Sequence, residues 1–589
     1  MRRLMKRLLA IVLWLTFGVT LAQTGSDTFV YQSFGDVDTL DPVQAYDSAS
    51  GQIIENVYEG LYGYAGESVT EYEPKLATAY TASEDGLTYT YTLREGVTFH
   101  SGNPFTCADV EYSIQRALVT NPPDSGAWIL MEPLTGRYSD ANTELGEGAT
   151  NEQYAELYAT IDNSVVCNSD TEVQFNLAQV DPGFFSKMLF YAAYIVDSEW
   201  AKSNGMWDGT EATWRDWIGV DLREHHLQTN MSGTGAYRLT AWEPGIRVVA
   251  ESNESYWGGA PAIKNVVLQQ VEDEAARIQA LKAGDADEII LGSRSSLPQV
   301  EGQPGVRVYD AFTNDSLGWT STTVNSVALV QNVNTTDNPN VGSGQLDGLG
   351  IPADFFTDIN MRKCFNYAFD RDAYINDVLL GAGNNITMAL PTSYLGYDET
   401  VPQYILDLEA AEEACRAAWD GQVWETGFYL TIAYNTGNTS RQTVAEILKS
   451  NLEFLNPKFV IETRGIQWSQ FLEERNNNQL PVNIIGWIPD YADPDNYINT
   501  FYASTGYYGA QNGINIPGVD ELNNEARTSL DPARREELYS QIGNLAYEYS
   551  PYILLPQGIP YLVMSDRVQG VYLNSMYSGG FLWQDLSKE

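Results

Sequence analysis

Basic residues are scarce in this chain. Its 589 residues hold 33 Lys and Arg against 78 Asp and Glu, a formal net charge of −45. Binding to nucleic acid needs Lys and Arg to neutralise phosphates, so this balance argues against a general affinity for DNA or RNA. It argues equally against an electrostatic grip on anionic lipid. Histidine is scarcer still, with three residues (His100, His225 and His226) that show no ligand spacing. The four cysteines, Cys107, Cys167, Cys364 and Cys415, form no CxxC pair, so the clustered ligands of a tetrahedral zinc site are missing. No G-x-S-x-G elbow, H-E-x-x-H or phosphate-binding P-loop occurs. Glycoside hydrolysis would need two carboxylates at a defined separation, and 78 acids single out no pair. These absences leave no catalytic motif, and no metal or cofactor is expected.

Long apolar runs are absent beyond the first 22 residues. There, four basic residues (Arg2, Arg3, Lys6 and Arg7) precede an apolar stretch from Leu8 to Ala22, with Thr20 and Ala22 placed for a cut before Gln23. This is the three-part pattern of a secretory signal over residues 1–22. The stretch is short for a bilayer span, which needs about 20 residues. No cysteine lies near the cut, so acylation as a lipoprotein is not expected and the predicted location is the periplasm. Export favours disulfides. Three pairings of the cysteines are possible; Cys107 with Cys167 and Cys364 with Cys415 are expected, because each pair then stays within one region of sequence.

What the chain has in abundance is aromatic side chains: 14 Trp, 37 Tyr and 20 Phe. Most belong to cores, but a minority could line a cleft. Apolar alternation predicts strands at residues 29–34, 171–177, 236–242 and 265–271, and in FYLTIAY and VNIIGWI. It also predicts a β-hairpin over residues 87–102. Helical spacing predicts helices over 48–62, 107–118, 273–284, 359–380, 409–418, 441–454 and 531–549. Thr106 and Asp109 resemble a capping box. Residues 136–153 and 334–350, rich in Gly, Asn, Thr and acids, are expected as a loop and an exposed excursion. Alternating strands and helices point to α/β lobes.

One segment concentrates polar and aromatic groups after a strand: GWIPDYADPDNY, from Gly486 to Tyr497. The apolar NIIGWI leads into Asp490 beside Trp487 and Tyr491. Ligands of α/β sheets sit beyond the carboxyl ends of strands, and a carboxylate fixed there beside aromatic walls suits a primary amine.

With this segment the chain resembles the family-5 extracellular solute-binding proteins of ABC importers, the dipeptide- and oligopeptide-binding group. Similar motifs occur in order along the chain: DTLDP (38–42), ENVYEGLYGY (55–64), the block from Pro74 to Ala117, GTGAYRL (233–239), NESYWGGAPAIKNV (253–266), MRKCFNYAFDRDAYINDVLLGAG (361–383) and IIGWIPDYADPDNY. The resemblance implies a two-lobed periplasmic binding protein. Lobe I would be residues 27–309 with 556–589, including an extra subdomain at about 71–229, and lobe II would be residues 310–555. It implies a receptor, not an enzyme, that captures peptide between its lobes, works with membrane permease subunits and is monomeric. It makes Asp490 the counter-charge of a peptide α-amine, flanked by Trp487 and Tyr491. Dipeptide-binding members carry an arginine for the ligand carboxylate where this chain has Asn435. That departure favours oligopeptides over dipeptides and keeps an oligosaccharide as the alternative ligand. Phe34, closing the first strand, completes the candidate ligand set.

Overall fold

The computed structural model describes residues 25–146 and 148–589; the secretory-signal reading of residues 1–22 lies outside them. Two sheets organise the chain. The first has seven strands, in the spatial order Val306–Asp310, Tyr561–Ser565, Glu288–Ile289, Thr28–Ser33, Asn265–Gln270, Arg247–Ser252 and Tyr237–Glu243. Its central strand Thr28–Ser33 runs parallel to Asn265–Gln270 and Glu288–Ile289, and the other pairings are antiparallel. The second sheet has five strands: Phe459–Ile466, Phe428–Asn435, Val482–Trp487, Val324–Leu329 and Tyr552–Leu554. Here Phe428–Asn435 lies parallel to both of its neighbours. The chain passes from the first sheet to the second between Asp310 and Val324, and returns between Leu554 and Tyr561. Two lobes result, each an α/β unit with its own core.

A four-stranded antiparallel sheet, Ala77–Ala82, Thr88–Leu93, Glu172–Asn176 and Val165–Ser169, carries an additional core on the first lobe. That core draws on buried residues from Val43 to Leu227 and on Met576, Tyr577 and Leu582, a wider set than the stretch 71–229.

Local chemistry explains most helix boundaries. Asp47 starts Ser48–Val57 by accepting from the amides of Ala49 and Ser50. Thr106 and Asp109 close a capping box on Cys107–Thr120. Asp273 caps Glu274–Ala283, which stops at Gly284 with φ +79°. The disulfides are Cys107–Cys167 and Cys364–Cys415, as expected, spanning 60 and 51 residues. In the chain-entropy picture each stabilises the fold by about 4 kcal/mol.

Several expectations are corrected. The hairpin over 87–102 does not form: Thr88–Leu93 has one edge taken by Ala77–Ala82 and the other by Glu172–Asn176, and residues 97–99 pair instead with 103–105 around a Thr98–Pro104 bridge. The helix over 48–62 ends at Val57, because Tyr58 turns extended and the chain enters the strand Tyr62–Tyr64. The helix over 359–380 breaks after Ala368. Phe369 is extended, Asp370 caps a new turn, and Tyr374–Val378 is π-helical. Helical spacing conceals the break because Phe365, Ala368, Phe369, Tyr374 and Val378 all bury in one core. The loop at 136–153 contains a short helix, Ala141–Leu145, capped by Asp140. The excursion at 334–350 is anchored. The side-chain amides of Asn338 and Asn340 donate to the Gln479 carbonyl at 2.8 and 3.2 Å, and Val341 is buried in the second lobe.

Candidate functional site

The carboxyl ends of three strands meet where the lobes face one another. Thr28–Ser33 delivers Phe34 from the first lobe, Phe428–Asn435 ends on Asn435, and Val482–Trp487 ends on Trp487, three residues before Asp490. Two adjoining cavities lie there, of about 320 and 170 Å³, sharing Ser48, Arg441, Trp468 and Ser578 in their walls. Pockets for small organic ligands start at about 300 Å³.

Asp490 and Trp487 line the smaller cavity. Asn496 holds both in place: its side-chain oxygen accepts from Trp487 Nε1 at 2.8 Å and from the Asp490 amide at 3.1 Å, while its Nδ2 donates to Asp490 Oδ2 at 2.9 Å. A second donor to Asp490 Oδ2 comes from the other lobe, the Tyr46 hydroxyl at 2.9 Å. That hydroxyl accepts in turn from Trp128 Nε1 at 3.0 Å. The Tyr46 ring stands edge-on to Trp487 and Tyr507, with centroids at 5.6 and 4.8 Å. Asp490 is 6% exposed, and among the described residues no Lys or Arg pairs with it. Burial pushes its carboxyl up to about 7, against the lowering effect of Asn496 and Tyr46. Two further carboxylates line this cavity: burial pushes Asp47 up to about 6 and Glu55 up to about 8.

Cations are also present. Arg441, in the first turn of helix Thr439–Leu455, lines both cavities. Its Nη1 donates to Asn435 Oδ1 at 2.9 Å, and its amide to the capping Asn438 at 3.0 Å. Burial pulls the guanidinium down to about 10, and no described carboxylate pairs with it. Arg475, 3% exposed, stands over the Tyr508 ring at 4.4 Å, and its Nε and Nη2 have no hydrogen-bond partner among the described residues. The sequence search for a cation stopped at Asn435. The structure shows that Asn435 is instead the acceptor orienting Arg441, six residues on. The lone signal in the sequence was an Arg just after a strand end and a capping Asn. The argument for longer peptides rested on a missing cation, and that premise does not hold.

Phe34 and Asn435 line the larger cavity with Trp242, Gln52 and Asn438. Phe34 meets the second lobe at Gly437, where φ is +84° and an added Cβ would stand 2.4 Å from Phe34 Cβ. Tyr491 does not line either cavity. Its side chain turns away, donating to Asp495 Oδ2 at 2.7 Å beneath Lys187, whose Nζ lies 5.0 Å from the ring centre. Sequence reasoning missed Tyr46, Arg441, Arg475 and Trp468, which come from three separate stretches of chain, the last two sharing helix Trp468–Asn476.

The lobes touch through polar contacts. Trp468 Nε1 donates to Asp47 Oδ1 at 3.2 Å, and the Ser469 amide and hydroxyl donate to Asp36 at 3.3 and 3.0 Å. The Ser440 amide donates to the Gly292 carbonyl at 2.9 Å. Arg527 joins Glu132 of the first lobe to Asp495, the latter at 2.8 Å. Among the described residues, no helix is long and apolar enough to cross a membrane.

Comparison with known proteins agrees with this architecture. The sequence profile of "Bacterial extracellular solute-binding proteins, family 5 Middle" matches residues 71–509. The chain is 24% identical over 542 residues to Heme-binding protein A of Haemophilus influenzae, covering 90% of this chain and 86% of that one. It is 24% identical over 586 residues to the probable D,D-dipeptide-binding periplasmic protein DdpA of Escherichia coli, covering 99% and 98%. The solved structure of the ABC transporter-associated periplasmic binding protein DppA from Helicobacter pylori, in complex with the peptide STSA, superposes with a TM-score of 0.74 at 19% identity, over 95% of this chain and 98% of the other. With a profile match across most of its length and a two-lobed α/β fold to go with it, the chain belongs to the bacterial extracellular solute-binding proteins of family 5.

Proposed function

We propose that this protein captures short peptides between its lobes and presents them to the permease subunits of an ABC importer in the periplasm, without catalysing a reaction. Lobe I is then residues 27–309 with 556–589, bearing the subdomain at about 71–229, and lobe II is residues 310–555. Asp490 takes the peptide α-amine. Arg441 takes a carboxylate, and Trp242, Trp468 and Phe34 wall the space for side chains.

The observation that carries this reading is the pair of desolvated groups of opposite sign on one cavity wall, Asp490 and Arg441, each hydrogen-bonded to neutral side chains and neither given a counter-charge by the described residues. Buried charges without partners are costly, and a zwitterion supplies both partners at once. A neutral oligosaccharide would supply neither, so the sugar alternative has less in its favour despite the aromatic walls. Closure follows from the same geometry: Asp490 sits in one lobe and Tyr46 in the other, so ligand at Asp490 favours the form in which both sets of contacts exist. Peptide relatives such as the Escherichia coli DdpA protein and the Helicobacter pylori protein bound to STSA support the same ligand class.

Native mass spectrometry of the protein as purified, with mild denaturation to release what it holds, tests the reading. Released masses that form a series spaced by amino-acid residues are expected. Masses that match hexose multiples, with no peptide bound on direct titration, would overturn it.

A further inference from the structure

A further cation without a counter-charge lies in lobe II, in a cavity that shares no lining residue with the two in the cleft. Arg371 is 8% exposed. Of its five N–H donors, two reach protein acceptors. Nη1 donates to the Asn366 carbonyl and Nη2 to Asn366 Oδ1, both at 3.4 Å, the long end of the hydrogen-bond range. No described carboxylate pairs with it. Neighbouring Asp370 spends Oδ1 on the Ala373 amide at 2.9 Å, and Asp372 faces solvent. The Phe369 ring lies 5.5 Å from the guanidinium carbon. Burial pulls the group down to about 10, opposed only by the Tyr404 phenol. Arg362 on the preceding helix shows the contrast. It is buried still more deeply, but its donors are satisfied by the carbonyls of Tyr549, Phe356 and Thr357 at 2.6–3.0 Å. An isolated charge in this setting requires a counter-charge or acceptors for its remaining donors.

Beside Arg371 is a cavity of about 40 Å³. One water needs about 10–15 Å³ of such space, so the site has room for a small ion and none for a peptide. The Ser550 hydroxyl faces the same cavity. It accepts from Asn366 Nδ2 at 2.9 Å and is itself a hydrogen-bond donor to the Tyr404 phenol. The Tyr404 hydroxyl is engaged with the Tyr547 carbonyl at 3.1 Å, and no carboxylate lines the wall. A buried guanidinium with N–H groups left over, in a cavity that no carboxylate lines, makes a receptor for an anion.

We propose that this cavity binds a small inorganic monoanion of chloride size, held by the Arg371 guanidinium. The ion ties together the break after helix Ile359–Ala368, the loop through Ile386 and Tyr404, the end of helix Pro532–Tyr549 and the strand Tyr552–Leu554, from which the chain returns to the first sheet. Its effect is on the stability of lobe II rather than on peptide recognition.

Thermal unfolding of the full protein in sodium chloride, against sodium gluconate of matched ionic strength, tests this. Wild type is expected to melt about 2–4 °C higher in 300 mM chloride, and Arg371→Met to lose the difference. Crystals of wild type soaked in bromide are expected to show an anomalous peak beside the guanidinium. An equal chloride response in wild type and Arg371→Met overturns the proposal, as does the absence of bromide at that position. Should the variant fail to fold, the bromide experiment decides alone. Neither result depends on the peptide reading, whose failure would appear in the released ligand instead.

Discussion

Replacing Asp490 by Asn removes a charge while preserving shape and the capacity to accept from Tyr46. Burial holds this carboxyl near 7 against an ordinary 3.8, a net penalty of about 4 kcal/mol on the ionised form that remains after the help of Asn496 and Tyr46. A peptide ammonium placed beside it recovers much of that, because the charge then has a partner in the same poorly solvated site. Truncating one side of such a buried pair costs about 2–5 kcal/mol, or about 30- to 5000-fold in Kd. Isothermal titration at pH 7.5 with a free tripeptide and its N-acetylated form separates this term from others. Asp490→Asn is expected to weaken the free peptide by that factor and to leave the acetylated one, already lacking the ammonium, nearly unchanged. An affinity for the free peptide within twofold of wild type would refute the amine role. So would equal losses for both peptides, since a structural defect at the lobe contact treats both alike.

Arg441→Gln is expected to weaken peptides with a free C-terminus by at least about tenfold while sparing C-terminal amides; titration of the two forms checks this. Gly437→Ala places a methyl group against Phe34 across the lobes and demands a strained φ, so closure should be blocked: peptide affinity falls while the unliganded protein stays folded, read by titration beside circular dichroism. The unliganded protein should also close more readily as pH falls. Closing adds to the burial of Asp490 and Asp47, and burial raises both carboxyls, to about 7 and about 6, against the lowering effect of the cross-lobe hydrogen bonds from Tyr46 and Trp468. The closed form therefore binds protons that solvent-exposed carboxylates have shed, and it gains as pH drops from 8 to 5. Small-angle scattering should show a shrinking radius over that window, and a flat profile would contradict the assignment.

What the sequence determined by itself was local. Asp47, Thr106, Asp273 and Asp531 start helices because a side-chain acceptor satisfies amides within three residues, and Gly284 ends one because its φ is positive. The disulfide pairs were legible from separation along the chain. The apolar run that carries Trp487 into the 486–497 turn was legible as a strand leading to a carboxylate. What only the tertiary structure decided was which distant groups share a wall. Alternation marks 88–93 as a strand but not which neighbours take its two edges, so the predicted hairpin gave way to partners at 77–82 and 172–176. Tyr491 follows Asp490 directly, yet its ring leaves the cleft for Asp495, because successive residues in a turn do not share a direction. Asn435 occupies the place where a cation was sought, and only folding shows its amide oxygen holding Arg441. Tyr46 reaches Asp490 across 444 residues of chain. Burial is a property of the assembled lobes. The carboxyl of Asp490 and the guanidiniums of Arg441 and Arg371 acquire their chemistry from water excluded by side chains that no local pattern brings together.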